Sequence, residues 1–377
     1  MSTKSFNVIL FAACVFLATI SQANAIGYTF TDLGLGVSDS SAEAVNNAGQ
    51  VAGNSLFRAT IWNGATPTYL GTLGGNEGGP YVDGASTYAI NNLGQAAGNS
   101  TTGRFYHAVK WNGTTPTDLG ALGPGHNSAA FAINDAGQVA GFSSASDNSA
   151  YHATLWNGTT PTDLGTLGGL SSLATGINNS GQVAGYSTTL AGTTHATIWN
   201  GTTPTDLGTL GGSYSAAFGI NDVGQVVGDS YTSGNAAQHA TLWDGTALHT
   251  PTDLGTLFGG RSSAQAINNV GQVVGFSTLW EGHMRNYVPH ATLWDGATPT
   301  NLNNFLTASA INAGWILWSA QGINDNGWII GKAYNYTSGE FHAFLLTPVP
   351  EPETYAMFMA GLGLMGFIAR RRKNGQA

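Results

Sequence analysis

Three observations predict an all-β fold, a seven-bladed β-propeller of four-stranded repeats. One phrase returns seven times, each unit holds four strand-like pieces, and an unmatched strand stands at either end of the array. The phrase reads A-V-N-N-A-G-Q-V-A-G at Ala44–Gly53 and A-I-N-N-L-G-Q-A-A-G at Ala89–Gly98. It returns from Ala132, Gly176, Gly219, Ala266 and Gly322. Its first Asn stands at Asn46, Asn91, Asn134, Asn178, Asn221, Asn268 and Asn324, giving steps of 45, 43, 44, 43, 47 and 56 residues.

Each unit opens with S-x-A-x-A-I-N, a strand of small residues. Asn-Asn/Asp-x-Gly then makes a turn, with Asn favoured at its first position and Gly at its fourth. The second strand is Q-V-V-G. After a variable link comes H-A-T-L-W, as at His152–Trp156, and then the tight Asn-Gly or Asp-Gly hairpin signal. P-T-D-L-G-T-L is the fourth piece. At the start of the body, Tyr28–Leu35 is a fourth-strand sequence with no first three before it; His342–Leu346 is a third strand with no fourth after it. Joining the two closes the ring and pairs both open edges.

Of 377 residues, 54 are Gly and 8% are charged, which suits many short strands joined by tight turns. The formal net charge is −9. Between Ile26 and Val349 six basic residues face eighteen acidic ones, a net of −12, so no basic track exists for a nucleic acid. Cys14 is the one cysteine and falls in the leader, so disulfides and thiolate metal sites are excluded from the body.

Residues 1–25 read as a signal peptide: Lys4, the apolar core Val8–Ile20, and the small-x-small site Ala23-Asn24-Ala25. Residues 26–348 are the repeat domain, and 349–377 a separate tail. There Pro350-Glu351-Pro352 precedes the short apolar run Tyr355–Ala369, a membrane segment, and Arg370, Arg371, Arg372 and Lys373 follow on the cytoplasmic side. This tail resembles the PEP-CTERM sorting signal of Gram-negative bacteria that make exopolysaccharide. The resemblance implies an exosortase as partner, transient residence in the inner membrane, and an extracellular or outer-surface destination. The repeat phrases H-A-x-L-W, D-L-G-T-L-G-G and I-N-x-x-G-Q-V-V-G resemble those of HAF-family extracellular repeat proteins. That resemblance implies location more than chemistry. Arg58 departs from it where the first unit should have His, Lys110 where the second should be apolar, and Trp328 where the seventh should have Gln.

Six third strands begin with His: His107, His152, His195, His239, His290 and His342. With the small-residue first strand innermost, these His lie too far apart to share a metal ion, and each is expected to bond a backbone group in its own blade. Trp62, Trp111, Trp156, Trp199, Trp243 and Trp294 hold strict phase, which predicts packing between blades. The D-L-G carboxylates Asp32, Asp118, Asp163, Asp206 and Asp253 read as turn caps, and the N-G-T triplets at Asn112, Asn157 and Asn200 as hairpins. No cofactor or catalytic motif is present.

Recognition is expected of the parts that break phase. These are the links Leu279–Pro289 and Arg104–Tyr106 and the enlarged blade connections Asn76–Asp83 and Asn304–Trp318, with Phe105, Tyr106, Trp280, Arg285 and Tyr287 as candidate ligand-binding residues. The function expected is that of a non-enzymatic, biofilm- or exopolysaccharide-associated interaction protein. The alternative is a propeller enzyme acting on carbohydrate, for which Glu281 and His283 are the off-phase candidates.

Overall fold

Seven four-stranded antiparallel sheets stand around an axis, six of them with their strands in sequence order from the inside out. The computed structural model describes residues 27–34, 39–74, 84–124, 126–144, 150–245, 250–281, 286–296 and 298–349, with backbone alone at 280, 281, 286 and 287. Residues Tyr28–Pro348 are one unit, the propeller. Blade 4 shows the regular pattern: Gly168–Ile177, Val183–Thr189, Thr194–Asn200 and Thr203–Asp206. Blade 7 is composite. Trp315–Ile323, Ile329–Asn335 and Glu340–Pro348 are joined by Tyr28–Asp32, which pairs antiparallel from Tyr28↔Pro348 to Asp32↔Phe344. The expected closure by the N-terminal strand is therefore present.

The phrase explains the inner half of each blade. After the first strand, the Gly49 amide donates to Asn46 O while Gly49 takes φ +80°, a conformation that favours glycine. The glycine ending Q-V-A-G is needed for a different reason. A Cβ on Gly141 would lie 2.0 Å from Ala129 O, because the first strand bulges against it between Ala130 and Ala132.

The turn asparagines do more than turn. Asn46 Nδ2 donates to Asn91 O of the next blade. Asn91, Asn134, Asn178, Asn221 and Asn268 repeat the bond, and Asn324 returns it to Asn46 O, all at 2.9–3.1 Å. Beside this ring runs a second. The amides of Asn47, Asn92, Asp135, Asn179, Asp222, Asn269 and Asp325 each donate to the next blade's side-chain Oδ1 at 2.8–3.0 Å. Together they circle the axial cavity of about 160 Å³ at one end of the first strands. Such bonds satisfy backbone groups that the inner strand edges would otherwise leave unpaired.

Between blades the core is repetitive. Trp243 of blade 5 is fully buried among Ala184, Ala196 and Leu207 of blade 4 and Ala217 and Val226 of its own blade. The alanines leave the slot that the indole fills. A buried serine joins neighbouring blades: Ser215 Oγ accepts from Ala196 N and donates to Gly208 O of blade 4. Ser128, Ser172 and Ser262 do the same, so the S of S-x-A-x-A-I-N is a cross-blade tie.

The interface of blades 6 and 7 is built differently. Leu346 stands at the Trp register and Leu317 at the Ser register. The enlarged connection supplies a 3-10 turn, Leu302–Phe305, and a short helix, Ala308–Asn312. Leu302 and Leu306 fill the interface, and Asn303 bonds the Leu317 amide and carbonyl in place of the serine. The link Leu279–Pro289 also differs from the loop expected of it. Val273–Glu281 and Asn286–Asp295 continue as a paired hairpin through Glu281↔Asn286, because the strands stay in register beyond the blade. Asn76–Asp83 lies outside the described residues.

Candidate functional site

The third-strand His side chains find a partner other than the backbone expected. Nδ1 of His107, His152, His195, His239 and His342 lies 2.6–3.0 Å from the carboxylate of Asp118, Asp163, Asp206, Asp253 and Asp32 respectively. The pairing is within the blade, but a carboxylate opposite on the fourth strand outcompetes a main-chain carbonyl as acceptor for an imidazole N–H. Each of these Asp also caps its own turn. Its Oδ1 accepts from the glycine amide two residues on at 2.7–2.8 Å, as expected. Among the described residues no group of three or more His, Cys, Asp or Glu is placed to hold a metal ion.

Two blades depart from this pair, one at the Asp alone and one at both partners. In blade 6, Asn301 replaces the Asp, and its Nδ2 lies 3.2 Å from Nδ1 of the buried His290. In blade 1, Arg58 replaces the His and Tyr69 the Asp, with the guanidinium over the phenol ring 5.4 Å from its centroid.

Blade 1 also borders a cavity of about 1010 Å³, on the face opposite the asparagine rings. It opens across blades 7, 1 and 2. Blade 7 lends Trp318, Gln321, Lys332 and Phe341 to its wall, and blade 1 lends Asp39, Leu56, Phe57 and Arg58. Local sequence places each. Trp318 is an extra residue in the first strand of blade 7, inserted where the register shifts between Leu317 and Ser319. Its ring meets Phe341 edge-on, centroids 5.5 Å apart at 88°, and Tyr334 stacks behind both. Lys332 follows the Q-V-V-G glycine, a register that holds Asn54, Asn99, Phe142, Tyr186, Asp229 and Phe276 in the other blades.

Backbone strain concentrates here. Among the described residues four non-glycine residues have positive φ, and three of them line this cavity: Asp39 (56°), Leu56 (51°) and Phe57 (61°). Leu56-Phe57 is the two-residue hairpin between paired Ser55 and Arg58, a turn that demands positive φ and normally takes Asn and Gly. Two bulky residues there cost about 1–2 kcal/mol each. In return Phe57 is held out, 77% exposed, at the cavity rim.

Of the residues expected to bind ligand, Phe105 and Tyr106 are described with their side chains. Phe105 stands in a bend whose carbonyl accepts from Thr102, and Tyr106 opens the third strand of blade 2 with its ring 6.5 Å from Phe142. The backbones of Trp280 and Tyr287 pair in register on the extended hairpin of blade 6. Phe105 and Tyr106 are not among the cavity's described lining residues. Arg285 and His283 lie outside the described residues, as do Pro350, Glu351, Pro352, Arg370, Arg371, Arg372 and the apolar run between them. No described helix is long and apolar enough to cross a membrane. A signal for the cavity did exist in the sequence. Arg58 breaks the His register, and Trp318 ends the enlarged connection.

Comparison with known proteins accounts for the tail. The chain carries a PEP-CTERM protein-sorting motif. It matches residues 348–373, so the protein is exported, held transiently at the membrane and processed by an exosortase. A family of proteins of unknown function (DUF3466) matches residues 208–343, which span blade 5 to the third strand of blade 7. No curated protein matches the sequence. Among solved structures, the extracellular domain of a proposed one-component system of B. thetaiotaomicron aligns over 86% of this chain and 40% of its own, at 9% identity and TM-score 0.50. TolB from Acinetobacter baumannii aligns over 85% of this chain and 63% of its own, at 13% identity and TM-score 0.42. The chain thus spans less than two thirds of either protein, and the likeness is one of fold alone.

Proposed function

We propose that this is a non-enzymatic recognition protein, displayed on the outer surface or in the extracellular matrix, which takes its ligand in the cavity over blades 7, 1 and 2. The coincidence of strain with the cavity carries the reading. Strained residues persist where the surroundings hold them for a task, and Leu56, Phe57 and Asp39 are exposed rather than part of the core. The HAF-like repeat phrases and the sorting motif support an extracellular destination. For hydrolysis of a glycoside two carboxylates must face each other. The described lining contains one, Asp39, which favours binding over turnover.

The test uses the processed chain purified from its host. Replacing Leu56→Asn and Phe57→Gly together should raise stability by about 1–2 kcal/mol while weakening capture on an array of host exopolysaccharide fragments about tenfold. Release of reducing ends during the same incubation, or array signals unchanged by the double variant, would sink the proposal.

A further inference from the structure

The two faces of the propeller are built differently, and the chain leaves from one of them. On the asparagine-ring face the connections are short and alike. Every unit turns there through Asn-x-x-Gly. In blades 1 to 4 two residues separate the third strand from the fourth, as between Asn157 and Thr160, and this hairpin lies on the same face, since Gln182 of the blade 4 turn bonds Asn200. The opposite face carries the variable links, the strained hairpin and the cavity beside it. A second cavity, about 770 Å³, opens there between blades 5 and 6.

The last strand, Glu340–Pro348, runs from the cavity face to the asparagine-ring face. Its start pairs as Asn335↔Glu340 beside Phe341 of the cavity wall, and its end passes Ile329↔Leu346, next to the blade 7 turn. A Cβ on Gly327 of that turn would stand 3.4 Å from the Pro348 ring. Tyr28 pairs with Pro348, so the propeller begins and ends at one corner of this face. Six residues, Val349–Thr354, then lead to the apolar run that starts at Tyr355. Even fully extended, a spacer of that length reaches only about 25 Å from Pro348. The nine residues of the last strand alone span about 27 Å. The spacer is therefore too short to bring the cavity face, one strand length further away, to a bilayer that holds the apolar run.

We infer that, until the exosortase cuts, the propeller stands with its asparagine-ring face against the membrane surface and its cavity face pointing away. The inference rests on the sorting motif and on where the last strand ends, and is independent of the recognition reading. Short, uniform turns suit this face to a flat partner. Their tips include the exposed Leu93, Val223 and Val270, apolar side chains at the third turn position that can rest among lipid headgroups. The second asparagine ring sets the carboxylates of Asp135, Asp222 and Asp325 on the same face, where they repel anionic lipid. The short tether, rather than attraction to lipid, thus holds the face in place, and cutting the tether frees the protein.

The experiment places single cysteines in the full chain, with Cys14→Ser as background, because the propeller itself has none. Their labelling by a membrane-impermeant polyethylene-glycol maleimide is measured in host spheroplasts that lack the exosortase. Phe57→Cys and Leu190→Cys, on the cavity face, should label several-fold faster than Leu93→Cys and Val223→Cys. The four rates should converge in a chain that ends at Val349. Equal rates in the anchored chain, or slow labelling at Phe57→Cys instead, would overturn the inference. Protection confined to Thr29→Cys, on the outer strand of blade 7, would overturn it too, because the propeller would then lie on its edge. Inserting about 20 Gly-Ser residues after Val349 adds ~25 Å of flexible reach and should abolish the protection. Protection that survives the insertion would overturn the tether as its cause.

Discussion

Blade 4 and blade 7 perform the same task with different means. Blade 4 is continuous in sequence, meets its neighbours through a buried Trp and a serine tie, and holds a His–Asp pair within itself. Blade 7 is made from both ends of the chain, lacks the Trp, and replaces the tie with Asn303. Trp328 even takes the place of the turn Gln and packs where a Cβ on Gly49 would sit, 2.3 Å from its ring. A repeat that must tile is held to small alanines and one large indole. At the seam only one interface has to fit, so its residues are free to be recruited for other purposes. The cavity borders the other side of blade 7, with Lys332 in that blade and the strained hairpin and Arg58 in blade 1.

The comparison is broken most severely by opening the ring. Deleting Tyr28–Leu33 removes a strand from blade 7 together with the buried Leu33, and leaves the Glu340–Pro348 strand as an edge. The expected result is loss of the single cooperative unfolding transition and concentration-dependent aggregation, read by calorimetry and light scattering. A variant that still unfolds as one unit at an unchanged midpoint would show that the axial asparagine rings suffice for closure.

A smaller effect separates the two kinds of interface. Trp199→Ala should cost about 3–5 kcal/mol, because Ala132, Ala140, Ala153 and Ala174 in its cluster are too small to refill the slot. Leu346→Ala should fall near the low end of its range, about 2–3 kcal/mol, since Leu302, Leu317 and Phe344 surround it and can relax. Denaturant midpoints at constant slope measure both. A costlier Leu346 would mean that the seam is the better packed of the two.

The mildest effect concerns the register shared by Asp229 and Lys332. Burial raises the pKa of Asp229, with bonds to Gln238 and Ser263 and the charge of Arg261 offsetting part of the shift. A raised folded pKa means that the neutral acid is the form the fold prefers. Its contribution is full below the ordinary Asp range and is lost as pH rises through the raised value. Asp229→Asn should therefore raise the Tm at pH 7, on the order of a degree or two. That gain should shrink as pH falls toward the ordinary Asp range. A gain independent of pH would place its origin outside this ionisation.

Much of the scaffold was legible in local pattern. The Asn-x-x-Gly turns, the phased Trp and the D-L-G caps each follow from one residue's own preference repeated seven or so times. The orphan strand Tyr28–Asp32 could be assigned because it matches a phrase defined elsewhere in the chain. The His partners were misjudged, since whether an imidazole meets a carbonyl or a carboxylate depends on cross-strand register. The axial rings went unseen because one Asn side chain can cap its own turn or reach the next blade, and only the packing distance decides. The extended hairpin at Trp280 looked like a loop because it departs from the repeat's length.

By itself, then, the amino-acid sequence determined export, the sorting tail, the number of blades and the manner of closure, all of which rest on short-range chemistry or on self-similarity. Tertiary structure alone decided where the residues that break the repeat come together. Arg58, Lys332, Trp318 and Phe57 are unremarked in four separate segments, and they become one wall only when the first and last blades are brought together. The physical reason is that closure sets the seam geometry once, outside the repeat, where no periodicity exists to be read.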